Sequence, residues 1–213
     1  MVQPNRKQRR TRQIAEARAH ILEHALEVFG TNGYHWATME DVADASGYSV
    51  GSLYNYFENK AALYRAVVDQ IAEEVRSVSP PEAVEHEPDF RAALARMMRR
   101  QFEIAKRHRG FFSSFFRERA SFDARFGTQV DVRTEAVREA RIDGIEALVI
   151  AGQRAGQVKN ASSRVVALTI AGAFEGLFRA WLSTDAALDL DDAVTMMVDL
   201  VYCGIWVDET ERA

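Results

Sequence analysis

Residues 38–60 read TMEDVADASGYSVGSLYNYFENK. Thr38 stands where its hydroxyl can cap a helix, and Asp41, three residues on, completes a capping box. Met39, Val42 and Ala43 give this short helix a face to bury, and Gly47 stops it. Ser49 then caps another short helix that runs through Leu53 to Tyr56. Two capped helices joined by the tight turn Ser46-Gly47-Tyr48 have the geometry of a helix-turn-helix. In that motif the second helix enters the major groove. Val50, Leu53 and Phe57 are expected to face inward and fix the second helix to the first. Ser49, Ser52, Tyr54, Asn55 and Tyr56 are left to face out, each with a hydrogen-bonding group. No charge falls between Ser49 and Tyr56. Gly51 removes a side chain where backbone needs to approach phosphate closely. An exposed, aromatic, uncharged helix is costly unless something docks on it.

Working outward, apolar residues recur at three- and four-residue spacing, the helical period, and alternating β-branched segments are scarce. The spacing predicts a first helix over Thr11 to Phe29, with Ile14, Arg18, Ile21, Leu22, Ala25 and Phe29 on one stripe and Gly30 and Gly33 closing it. Asn59 caps a fourth helix that runs to about Val78, striped by Leu63, Val67, Ile71 and Val75. Ser79-Pro80-Pro81 ends it, and the acidic stretch to Pro88 is the one obvious linker. Longer helices follow at about Asp89–Lys106, Phe111–Arg119, Val130–Ala155, Ser163–Ser183 and Asp191–Val207. The expectation is an all-α protein of about nine helices. A three-helix DNA-binding domain with a basic N-terminal arm takes residues 1–58, and a helical ligand-binding and dimerisation domain takes residues 59–213.

Of the 213 residues, 47% are hydrophobic and 27% charged, which fits a folded chain rather than a disordered one. Cys203, the lone cysteine, cannot form an intramolecular disulfide and suits a reducing compartment. With no signal-peptide pattern and no stretch of about 18 uninterrupted apolar residues, a soluble cytoplasmic protein is expected. The net charge of −4 is misleading until it is resolved along the chain. Arg6, Lys7, Arg9, Arg10, Arg12 and Arg18 face only Glu16 within the first twenty residues, so a basic arm precedes an acidic body. Such a chain attracts nucleic acid at one end and repels it elsewhere.

The run from Thr38 to Lys60 resembles the DNA-binding signature of the tetracycline-repressor (TetR) family. Val42-Ala43, Gly47, Gly51, Leu53-Tyr54, Tyr56-Phe57, Lys60 and Leu63 stand where that pattern wants them, and the motif covers about residues 14–64. The resemblance implies a dimeric, ligand-responsive transcription repressor on a palindromic operator. It implies phosphate contacts from Thr38, Ser49, Tyr54, Tyr56 and Lys60, and base reading by Val50, Ser52 and Asn55. Asn can pair with adenine and Val can touch a thymine methyl. Many relatives carry Lys or Arg in this helix; here the attraction shifts to Arg9, Arg10 and Arg12.

The helix from Ser163 carries small residues (Ala167, Ala171, Gly172, Ala173, Gly176) among large apolar ones. The resemblance implies that it and the last helix form a homodimer interface, against the plainer reading of two core helices within one subunit. Phe111, Phe112, Phe115, Phe116 and Phe122 crowd one short segment. With Met97, Met98, Phe102, Phe174, Phe178 and Trp181 they can line a cavity for a small apolar or amphipathic effector, or pack as core. Arg117, Glu118, Arg141 and Glu146 can orient a polar group of that ligand, or be solvated.

One pattern points elsewhere. His20-Ile21-Leu22-Glu23-His24 matches the inverted zinc-protease motif H-x-x-E-H. No third protein ligand is marked out downstream, so chance spacing is the preferred account, with neither catalysis nor a bound cofactor or metal expected. A DNA-bound protein working through protein partners, or as an activator, is the alternative that keeps the fold.

Overall fold

The computed structural model describes residues 6–78, 89–120, 127–183 and 189–205, with side chains except at 117–120, 127–136 and 204–205. Among them are nine α-helices and no strand. They are α1 (Arg6–Trp36), α2 (Met39–Ser46), α3 (Val50–Tyr54), α4 (Lys60–Ser77), α5 (Phe90–Arg107), α6 (Arg109–Ala120), α7 (Gly127–Arg154), α8 (Ser163–Ser183) and α9 (Leu190–Ile205). The expected linker from Ser79 to Pro88, Phe122, the side chains of Arg117 and Glu118, and an end at Val207 lie outside the described residues.

The chain divides into two compact units. The first takes Met1–Gln70 and His108–Val130, the second Ile71–Arg107 and Asp131–Ala213. In the first unit, Ile21, Ala25 and Phe29 of α1 are buried with Val42 and Ala43 of α2, Leu53 of α3 and Leu63, Tyr64 and Val67 of α4. Tyr64 meets Phe29 edge to face at 5.1 Å between ring centroids and Phe111 of α6 at 5.6 Å. Edge-to-face aromatic pairs of this kind add to the burial of their area.

The expected end of α1 at Phe29 is not where the helix stops. Gly30 remains helical, and its missing side chain serves packing instead. A Cβ there would sit 2.9 Å from the Phe111 backbone nitrogen, so α6 crosses α1 at main-chain distance. The break comes at Gly33, with φ 80° and ψ 166°, a conformation a side chain would resist. Helix α1 also begins at Arg6, so the described part of the basic arm extends the first helix.

In the second unit the buried core joins Leu94, Met98 and Phe102 of α5, Ile142, Ile145 and Val149 of α7, Ile170, Phe174 and Phe178 of α8, and Val194 and Val198 of α9. Gln157, in the α7–α8 connection, accepts the Phe90 backbone N–H at 2.8 Å and so caps α5. Arg99 joins α5 to α9 through Asp191 at 3.1 Å and Thr195 at 2.9 Å. Arg164 reaches Glu139, Asp143 and Glu146 across α7 and α8; hydrogen bonds to these carboxylates raise its pKa above the usual arginine range. These partners are partly solvated, so the network orients helices more than it stabilises them.

Helix α8 is long and apolar enough to cross a bilayer by length and composition, but 39% of that window is buried within the fold. What stays uncovered is an apolar surface on α8 and α9: Val165 is 60% exposed, Met196 67% and Leu200 72%. A groove of about 510 Å³ runs beside it, lined by Ala173, Leu177, Met196 and Leu200, with Asp189 and Asp192 as its carboxylates.

Candidate nucleic-acid interface

The local sequence dictates the two short helices. The Thr38 hydroxyl accepts the Asp41 N–H at 3.1 Å while the Asp41 carboxylate accepts the Thr38 N–H at 2.9 Å, closing the capping box. The Thr38 backbone N–H, and after it the Thr38 hydroxyl, hold the Asp41 carboxyl below its usual pKa. Gly47 takes the left-handed conformation, φ 73°, that ends α2. Ser49 accepts the Ser52 N–H at 3.2 Å, and the two serine hydroxyls bond each other at 2.8 Å. Helix α3 is shorter than the sequence suggests, stopping at Tyr54.

Leu53 and Phe57 are buried and anchor this helix, whereas Val50 is only half-buried. Ser49, Gly51, Tyr54 and Asn55 are exposed; Ser52 and Tyr56 are half-buried. Tyr54 shows half its surface to solvent, 51%. A Cβ at Gly51 would meet nothing within 4 Å, so packing inside this chain gives no reason for glycine there. The exposed face carries hydroxyls, an amide and an aromatic ring, with no charge.

Three basic side chains, from elements distant in sequence, hold the ends of these helices. An Arg18 guanidinium N–H donates to the Tyr56 carbonyl, just past α3, and Arg18 lies 4.3 Å over the Phe57 ring. His20 Nε2 meets the Ser46 carbonyl, the last of α2, at 3.1 Å. Lys60 Nζ donates to the carbonyls of His35 at 3.2 Å and Ala37 at 2.9 Å, at the end of α1. The last carbonyls of a helix have no partner within it, and the dipole there favours a cation. Sequence reasoning missed this role. It put Arg18 on the apolar stripe, His20 in a metal motif and Lys60 on phosphate, because contacts spanning 23 to 38 residues leave no local pattern.

Of the basic residues expected to attract DNA, Arg9, Arg10 and Arg12 are exposed along the start of α1, with Arg12 paired to Glu16 at 2.7 Å. The residues expected around an effector fall in both units. Met98, Phe102, Phe174, Phe178 and Trp181 are buried together in the second unit, where Phe102 lies 4.6 Å from Phe174 and Phe178 5.9 Å from Trp181. Phe112 and Phe115 are buried in the first unit and Phe116 is half-buried there. Arg141, one of four polar candidates, is not solvated but buried. It donates to Gln101 at 2.9 Å and lies 4.4 Å over the Phe174 ring. Glu146 is occupied by Ser163 and Arg164. His20, Glu23 and His24 converge on the outer face of α1, one ligand atom of each within 4.8 Å of the others.

An all-helical chain that presents a capped, neutral, hydroxyl-rich helix behind a basic arm is a helix-turn-helix DNA-binding regulator. The profile of the tetR family of bacterial regulatory proteins matches residues 21–67. Over 194 residues the chain is 30% identical to the transcriptional activator FasR of Mycolicibacterium smegmatis, covering 89% of this chain and 83% of that one. It is 26% identical to the transcriptional regulator TtgR of Pseudomonas putida, covering 90% of this chain and 92% of the other. Among solved structures, a TetR-family regulator from Mesorhizobium loti superposes with TM-score 0.74 at 16% identity, covering 91% of this chain and 98% of that one. FadR of Bacillus subtilis, in complex with stearoyl-CoA, also gives 0.74, at 17% identity and 88% and 98% coverage. The chain belongs to the TetR family and is a helix-turn-helix transcriptional regulator.

Arg18→Ala removes a charged hydrogen bond and a cation–π contact from the end of α3. Loss of about 2 kcal/mol is expected, with weaker DNA binding because the end of α3 is no longer held. Urea unfolding and a gel shift on the same preparation check it; unchanged values for both would remove Arg18 from this role.

Proposed function

We propose that this regulator is a ligand-responsive repressor that binds a palindromic operator as a homodimer. The observation that carries the reading is α3: it is anchored by Leu53 and Phe57 and turns an uncharged, hydrogen-bonding face outward. Base reading falls to Val50, Ser52 and Asn55. Phosphate contacts fall to Thr38, Ser49, Tyr54 and Tyr56, to the third N–H of Lys60, and to the Gly51 backbone, which a side chain would hold off. Thr38 and Ser49 accept from backbone at their caps, and both are exposed. The functional division follows residues 1–58 for DNA and 59–213 for ligand and dimer.

One recognition helix reads too few base pairs for specificity, so two are needed about one turn of DNA apart. The exposed apolar surface of α8 and α9 supports these helices as the homodimer interface. A Cβ at Gly172 or Gly176 would meet nothing within 4 Å in this chain, so close approach of a partner helix accounts for these two glycines, whereas Ala167 and Ala171 are buried within the subunit. Activation is the second reading, favoured by the 30% identical relative, itself an activator. The two readings share every contact with DNA and differ in the sign of the transcriptional change.

The effector site proposed in the second unit centres on Met98, Phe102, Phe174, Phe178 and Trp181, with Arg141 setting the ligand class. Among the described residues no carboxylate lies within ion-pair distance of Arg141, which spends one of five donors on Gln101. Burial pushes its pKa down to about 10. Glu175 opposes this electrostatically without forming an ion pair with Arg141, and its carboxylate is bonded to Arg179, so the buried guanidinium is only weakly compensated and an incoming anion stabilises it. The effector is therefore an amphiphile with an apolar tail and an acidic head, and its stronger affinity for one arrangement of the dimer is what switches DNA binding.

Tyr54→Ala is expected to abolish binding to a duplex selected by the parent protein while leaving the dimer intact. A gel shift paired with sedimentation checks this, and a variant that binds as tightly as the parent would refute the groove-facing assignment. For the effector, thermal shifts with dodecanoate, dodecanol and dodecyltrimethylammonium separate charge from chain. The carboxylate alone should stabilise the parent. Arg141→Met should lose that response and be no less stable without ligand. Equal responses to all three, or a response kept in the variant, would discard the acidic-head assignment.

A further inference from the structure

We propose that His20, Glu23 and His24 form a binding site for a divalent transition-metal ion of the zinc class, and that the bound ion fastens α1 to the helix-turn-helix. Helical spacing alone puts these three on one face, because residues three and four apart are neighbours. The side chains go further. One nitrogen of each imidazole and one oxygen of Glu23 lie within 4.8 Å of one another, and the two rings are 4.4 Å apart. Zinc bonds of about 2.1 Å set tetrahedral ligands about 3.4 Å apart, a closure that rotation of these side chains supplies. His20 and Glu23 are exposed and His24 half-buried, so an ion reaches them without opening the fold.

A second, independent feature is the fixing of both rings. His24 Nδ1 lies 2.9 Å from the His20 carbonyl, and His20 Nε2 lies 3.1 Å from the Ser46 carbonyl. A carbonyl oxygen only accepts, so those nitrogens carry the protons of the neutral rings. His20 Nδ1 and His24 Nε2 then keep the lone pairs that a metal takes. A ligating histidine whose other N–H rests on a backbone carbonyl is the arrangement metal sites use to orient their imidazoles. Two imidazoles and one carboxylate suit zinc, nickel or copper rather than calcium or magnesium.

The role follows from what His20 touches. Its ring holds the last carbonyl of α2 and lies 6.0 Å from the ring of Tyr48 in the turn that leads to α3. An ion on His20 immobilises that ring, and with it the junction of α1, α2 and the turn. Glu23 is spent as a ligand and is not left as a general base, so the site is structural rather than hydrolytic.

Titration of the full-length dimer with zinc chloride by calorimetry, in a Cys203→Ser background that removes the lone thiol, tests the proposal. One ion per chain is expected, with a rise in melting temperature on zinc addition. His24→Ala and Glu23→Gln should each weaken binding roughly tenfold or more and remove the melting shift. Both residues are on the outer face of α1, and circular dichroism checks that the variants remain folded. No saturable binding by the parent, or binding and melting shift unchanged in His24→Ala, would overturn the site. Because the readout is metal binding and stability, its failure leaves the DNA-binding reading untouched.

Discussion

Helix α3 has five residues, and a helix that short does not hold its shape in water. Nucleation fixes several residues for one hydrogen bond, so isolated helices below about 12 to 15 residues are marginal. Its shape is therefore imposed from outside. Ser49 caps its start, Leu53 and Phe57 are sunk into the core, and Arg18 grips the carbonyl of Tyr56 beyond its end. His20 and Lys60 do the same for α2 and α1. Three side-chain donors placed on three successive helix ends satisfy carbonyls that would otherwise lack partners, and the charged two, Arg18 and Lys60, lie where the dipole favours a cation. The exposed face of α3 can then be chosen for recognition, because among its outward side chains Ser49 keeps it helical as the cap, whereas Tyr54 and Asn55 do not hold its shape.

How much of this was legible in the sequence follows from the range of each interaction. The capping box, the glycine stop and the serine cap are contacts within three or four residues, and the string from Thr38 to Lys60 states them. The all-α class follows from periodicity in the same way. The end of α1 was misread because Gly30 resembles a stop signal, whereas its purpose is a backbone crossing with Gly110 and Phe111, eighty residues away in sequence. Arg141 stood among four polar residues that could orient a ligand or be solvated; only the folded unit surrounds it with Gln101 and Phe174. Long-range partners of charged side chains carry no periodic signature, which is why the carbonyl-holding roles of Arg18 and Lys60 emerged only from coordinates.

The two units carry complementary imbalances. The first shows a neutral, polar face beside a helix start rich in arginine, an arrangement suited to a polyanion that is both attracted and read. The second leaves apolar side chains of α8 and α9 in solvent and encloses a guanidinium without a carboxylate within ion-pair distance. Exposed apolar surface and a buried charge with only a weakly acting counter-charge are each unfavourable in an isolated subunit. The proposed homodimer would cover the first and the proposed acidic ligand would relieve the second.

Hydroxyl-radical footprinting on a duplex selected by this protein from random sequence addresses the central claim most directly. Two protected windows on one face of the DNA, related by a dyad and centred about 10 base pairs or a small multiple of that apart, are predicted for a dimer presenting α3 twice. A single unsymmetrical window, or selection that enriches no inverted repeat, would contradict it.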